Sequence, residues 1–119
     1  MDVRSLARRW LPSRSQDEFL AVESESPSTL TLRQGRVLFV FDRLSRTLTQ
    51  QGKPIARFGT IRHVRVQQER AQAGSVEWWV ILQLAGAGAV NVGRCHEQSS
   101  AEQLAAQIAS ITGIDVIFG

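Results

Sequence analysis

Read for alternation, the chain takes on a β texture at Thr29. Thr29–Arg33 sets Leu30 and Leu32 against Thr29, Thr31 and Arg33, the period-two pattern of a half-buried strand. Gln34-Gly35 supplies a two-residue hairpin turn, and Arg36–Asp42 returns through Val37-Leu38-Phe39-Val40-Phe41, apolar on both faces. Arg43-Leu44-Ser45 reads as a turn, Arg46–Gln50 as a strand, and Gln51-Gly52-Lys53-Pro54 as the next turn. Ile55–Gln68 is one long extended stretch whose apolar phase slips between Phe58, Ile61 and Val64/Val66, predicting a bend or bulge near Gly59. After the polar loop Glu69–Ser75, Val76–Leu84 is the clearest strand. Val76, Trp78, Val80, Leu82 and Leu84 share one face, which leaves Trp79 outside with Glu77, Ile81 and Gln83. Ala85-Gly86-Ala87-Gly88 turns the chain into the last long strand, Ala89–Arg94.

Helical spacing occurs twice. Ser99 followed by Glu102 has the form of a capping box, opening a helix over 99–112. Its stripe is Ala101, Leu104, Ala105, Ile108 and Ile111, and Gly113 is placed to end it in a left-handed conformation. Ile114–Phe118 is then a short apolar tail suited to pair with a sheet edge. At the other end, Val3, Leu6, Ala7, Trp10 and Leu11 recur on one helical face, with Arg4, Arg8 and Arg9 on or beside the other. This basic amphipathic segment, residues 1–16, lacks the apolar run of a secretory signal. Two to three turns are short for stable membrane binding alone. It reads either as a packed N-terminal helix or as one that binds a membrane or a partner through Leu6, Trp10, Arg4, Arg8 and Arg9. Residues 17–28 form an acidic, serine-rich linker, in which Phe19, Leu20 and Val22 leave room for a first strand. The folded domain is expected over 29–119.

The chain has 119 residues and 43% hydrophobic positions, enough for one domain with a true core. Its net charge of +3 is unevenly spread: +3 over residues 1–16, −4 over 17–26, +7 over 27–70 and −3 over 71–119. Such a basic middle attracts phosphates of nucleic acid or lipid headgroups, although alternation alone also puts arginines on solvent faces. The candidate anion- or partner-binding residues are Arg43, Arg46, Lys53, Arg57, Arg62 and Arg65.

Catalytic chemistry is sparse. A single cysteine, Cys95, excludes an internal disulfide, and with only His63 and His96 there is no zinc pattern. Cys95-His96 is a suggestive pair, but strand neighbours point to opposite faces. The acids are scattered, and Gly86-Ala87-Gly88 lacks the lysine of a phosphate loop. The expectation is a non-enzymatic protein with no cofactor and no metal. Trp79 and Ile81, outward on a strand apolar on both faces, are the candidate apolar interface.

Two hairpins, two further long strands and a C-terminal amphipathic helix, in that order over residues 29–114, resemble a bacterial pleckstrin-homology-like domain. The echoes are Arg36-Val-Leu-Phe-Val-Phe-Asp42-Arg43, Arg46-Thr-Leu-Thr, Pro54-Ile55, Ile61-Arg62-His63-Val64-Arg65-Val66, Trp78–Leu84 and the helix Ala101–Ala109 ending near Gly113-Ile114. The resemblance implies an α+β, mostly β fold. It is an antiparallel meander forming a partly open barrel or bent sheet, with the C-terminal helix and the short N-terminal one. It implies a binding module for a protein partner or itself, cytoplasmic, at an anionic membrane surface in some members, and often oligomeric. The phosphoinositide motif needs an open basic loop after the first strand, and the tight Arg33-Gln34-Gly35-Arg36 turn departs from it. The alternative class is a nucleic-acid-binding β protein using the basic sheet of residues 33–70.

Overall fold

The computed structural model describes residues 19–70 and 74–118. The amphipathic segment with Leu6 and Trp10 lies outside the described residues, as do Arg4, Arg8, Arg9 and the expected N-terminal helix. The fold is mostly β, with two sheets sharing one core and one helix among the described residues.

Sheet A is a meander of β1 (Ala21–Glu25), β2 (Thr29–Gln34), β3 (Val37–Asp42), β4 (Thr47–Gln50) and β5 (Lys53–Arg57), each antiparallel to the next. Part of the expected linker is therefore structured, since β1 pairs along β2 with a bulge between Val22 and Ser24. The β2–β3 loop is Gly35-Arg36, one residue later than expected, because Gln34 still pairs with Val37. Gln51-Gly52 alone makes the β4–β5 turn. Both residues have positive φ (52° and 81°), the geometry that matches the twist of a hairpin. Lys53 and Pro54, expected in that turn, belong to edge strand β5, where charge and a missing N–H discourage edge pairing.

The long stretch 55–68 does not stay in one sheet. A 3₁₀ turn, Phe58–Thr60, ends β5, and β6 (Ile61–Arg70) begins sheet B, bulged between Ile61 and His63. Phe58 is buried there, its ring 6.5 Å from that of Phe41, which anchors the bend in the core. Sheet B runs β8 (Ala89–Cys95), β7 (Val76–Leu84), β6, β9 (Asp115–Phe118). The C-terminal tail does pair with an edge, and it does so parallel to β6. The helix α1 (Gln98–Thr112) carries the chain from β8 across to β9. Ala101, Leu104, Ala105, Ile108 and Ile111 are buried as the periodicity requires, and Gly113 stops the helix at φ 81°. The capping box does not form: Glu97 occupies the N-cap without a side-chain bond, and Gln98 donates to Glu102 at 2.8 Å instead.

The core joins Leu30, Leu32, Phe39, Phe41 and Leu48 of sheet A to Val64, Val66, Val80, Leu82 and Val92 of sheet B. On β3, Phe39 and Phe41 point in, while Leu38 and Val40 are half-buried on the other side, in register with Arg33 and Thr31 of β2. The sheets do not close into a barrel: β5 and β9 each pair with one strand only. They meet at β8 instead. The Arg94 backbone N–H donates to Gln34 Oε1 at 2.9 Å, and the Arg94 carbonyl accepts from Leu20 N–H at 2.7 Å. The Gln34 side chain reaches β8 across Gly93, where a Cβ would stand 2.1 Å from Gln34 Oε1.

Gly93→Ala is therefore expected to destabilise the fold by about 2–3 kcal/mol, combining collision with an unfavourable backbone angle. Gln34→Ala alone should cost about 1 kcal/mol, the loss of one hydrogen bond. In urea unfolding, the double variant should be more stable than the sum of the two costs implies, because it removes the collision. Strict additivity would show that Gln34 and Gly93 do not share the joint.

Candidate functional site

With the inner faces committed to the core, chemistry is confined to outer faces, turns and edges. The outer face of sheet B is the distinctive one. Register lines its side chains up in rows: Glu69 beside Glu77; Gln67, Trp79 and Arg94; Ile117, Arg65, Ile81 and Asn91; Asp115, His63, Gln83 and Ala89. Two glutamates directly opposite each other repel. Here Arg94 Nη1 donates to both carboxylate oxygens of Glu77, at 2.9 and 3.2 Å, and Glu69 accepts from Gln67 Nε2. The Arg94 guanidinium also lies 5.3 Å from the Phe19 ring centroid and 6.0 Å from that of Trp79. Trp79 is thus held from one side by a cation already fixed by a carboxylate.

Beside it, Trp79 and Ile81 line a shallow groove with Gln67, Glu69, Arg70, Glu77 and Asn91. Arg65 sits between Ile81 and Ile117, and its Nε is buried with no hydrogen-bond partner. A buried donor left unpaired is costly, and its own chain shields this one from solvent. On β9, Ile117 is 42% and Phe118 60% exposed, and this edge carries no charge beyond Asp115. The other free edges are blunted: β5 by Lys53, Pro54 and Arg57, β1 by its bulge and by Glu23 and Glu25. Glu23 binds Arg33 Nε at 2.7 Å, and that hydrogen bond holds its carboxyl below the ordinary range.

The six basic candidates do not form one patch. Arg43 and Arg46 bound the β3–β4 turn, Lys53 and Arg57 lie at opposite ends of β5, Arg62 occupies the β6 bulge, and Arg65 is on the outer face of sheet B. Arg46 and Arg57 do come together. Arg57 pairs with Thr47, and Phe58 N–H donates to the Arg46 carbonyl at 2.9 Å. Arg43 turns instead to the C-terminal end of α1, donating to the Ser110 carbonyl at 3.3 Å, where helix polarity favours a cation. The basic sheet of residues 33–70 is therefore split between two sheets. The break falls at the bend that the phase slip near Gly59 predicts, but a slip in phase does not say that the chain changes sheets there.

Cys95 and His96 separate as neighbours on a strand do. Cys95 is buried in the core at 2% exposure, whereas His96 is exposed with its ring 5.6 Å from that of Phe19. Burial pushes the Cys95 thiol up from 9.0 to about 11, so it is protonated at neutral pH. Among the described residues, no three His, Cys, Asp or Glu side chains gather as a metal-ligand set, and no helix is long and apolar enough to cross a membrane.

Because the folded thiol ionises at a higher pH than an unfolded one, Cys95 contributes stability that is whole below about pH 9 and is lost as pH rises through about 11. Cys95→Ala should flatten stability over that window in urea titrations. At neutral pH the native thiol should react with a disulfide reagent only at the rate of unfolding. Immediate stoichiometric reaction would contradict its burial. Compared with family models, curated proteins and solved structures, the chain matches none.

Proposed function

We propose that the protein is a non-catalytic interaction module of pleckstrin-homology-like architecture that self-associates through the outer face of sheet B. The architectural part rests on the order of elements, a meander of hairpins followed by long strands and a C-terminal helix. The parallel strand β9 is an addition to that order.

One observation carries the functional part: Arg65 Nε is buried and unpaired between Ile81 and Ile117, beside Trp79 on the same sheet face. A face on which Trp79, Ile81 and Ile117 stand among charged and polar side chains, with the Arg65 guanidinium between the two isoleucines, suits a protein surface that brings apolar side chains and a carboxylate. A second copy brings both. The face has Glu69 beyond one side of Arg65 and Asp115 beyond the other, so a two-fold arrangement sets each arginine towards the other copy's acids. The exposed Ile117 extends the apolar area towards the β9 edge. Nucleic acid is disfavoured on this face, because carboxylates flank the arginine.

Trp79→Glu is expected to convert a dimer into a monomer in light scattering or equilibrium sedimentation, with the fold retained because Trp79 lies outside the core. Arg65→Ala should weaken the dimer by about tenfold or more, the worth of one buried charge-assisted hydrogen bond. A wild-type chain that is monomeric at all attainable concentrations, or a dimer indifferent to Trp79→Glu, refutes the proposal.

A further inference from the structure

We infer that the β3–β4 turn, Arg43-Leu44-Ser45-Arg46, is a docking tip for an anionic lipid surface. This goes beyond self-association and stands on different residues.

Leu44 is 84% exposed, the most exposed of the exposed large apolar side chains among the described residues. It is not exposed by looseness, because hydrogen bonds hold the turn from both sides. Asp42 Oδ1 accepts the Leu44 N–H at 3.0 Å, and Arg43 N–H donates to the Ser28 carbonyl at 2.7 Å. Thr47 Oγ1 donates to the Ser45 carbonyl at 3.0 Å, and the Arg46 carbonyl accepts from Phe58 N–H at 2.9 Å. None of these bonds uses the leucine side chain. A polar residue would serve the turn equally well and avoid showing apolar surface to water.

Cations stand beside the leucine. Arg46 is in the turn with φ 56°, and Arg57 pairs with Thr47 next to it. Neither arginine makes an ion pair among the described residues. Arg43 braces the turn against Ser110 of α1. An apolar tip flanked by exposed arginines matches a membrane interface, where guanidinium groups meet headgroup phosphates and a leucine reaches the acyl boundary. Nucleic acid fits the same charges less well. The neighbouring aromatic Phe58 is buried, so no ring is offered to a base, and an exposed leucine has no donor for one.

The test is co-sedimentation of the full chain with vesicles of phosphatidylcholine alone, and with phosphatidylserine added, at about 0.1 M and about 0.5 M salt. Binding is expected only to the anionic vesicles and to fall with salt. Leu44→Ser should lower the partition coefficient about tenfold, and Arg46→Glu with Arg57→Glu should abolish binding. Leu44 lies outside the core, so its variant reports on docking and not on folding. Trp10→Glu, in the basic N-terminal segment, should leave partition unchanged. The inference is overturned if the wild-type chain does not bind. It is equally overturned if Leu44→Ser binds like wild type, if Trp10→Glu alone abolishes binding, or if the chain binds a DNA duplex and not the vesicles.

Discussion

Two sheets that do not close into a barrel need one place where they are tied, and here that place is the meeting of Gln34 with Gly93 and Arg94. The Gln34 side chain lies where a Cβ on residue 93 would stand, and its oxygen accepts the Arg94 N–H. The Arg94 carbonyl binds Leu20, which brings the chain leading into β1 against the edge of β8. The Arg94 side chain then emerges on the other side of the sheet, where it grips Glu77 and lies over Phe19 and Trp79. One residue thus fixes how the sheets meet with its backbone and organises the outer surface with its side chain. Edge strand β8 is thereby tied at Arg94, and exposed apolar side chains stand on the opposite edge of sheet B, at β9.

This division of labour explains why the two ends of the molecule differ in character. Around β6, β7 and β9, apolar and charged groups share one half-buried face, and its central arginine lacks a partner. Around the β3–β4 turn, Arg46 and Arg57 are exposed and make no ion pair among the described residues, and a leucine is exposed beside them. On the proposed reading, burial would make the first surface selective for shape and for a carboxylate. Exposure makes the second long-ranged and sensitive to salt. A module that pairs through one surface and touches lipid with the other would gain from both at once, since two tips on one dimer bind a vesicle more tightly than one.

Much of the fold is legible in alternation, and the exceptions have physical causes. β2, β3 and β7 and the stripe of α1 follow from period two and period 3.6, because each packs one face on a single core. The outward position of Trp79 and Ile81 follows from the same rule. At 55–68 the slip in phase marks the bend near Gly59 but not its consequence, that Phe58 stays buried through a 3₁₀ turn and the chain changes sheets. The capping box fails because the helix begins at Gln98, before Ser99. Gln34 reads as an ordinary turn residue and Gly93 as a strand glycine, for their relation spans 60 residues and leaves no local pattern. Leu44 is lost among turn residues for a similar reason. A sequence states that a leucine is present, but not that the turn holds it away from the core.

If the outer face of sheet B is the working surface that we propose, with Arg65 and Trp79 at its heart, contact between copies must register there first. The most direct measurement follows side-chain resonances as the chain is concentrated: the Arg65 Nε–H, the Trp79 indole N–H and the Ile81 and Ile117 methyl groups. These should shift together with one dissociation constant, while the Trp78 indole, on the core side of the same strand, stays still. Shifts confined to sheet A, or no shift at any of the four groups, would contradict it.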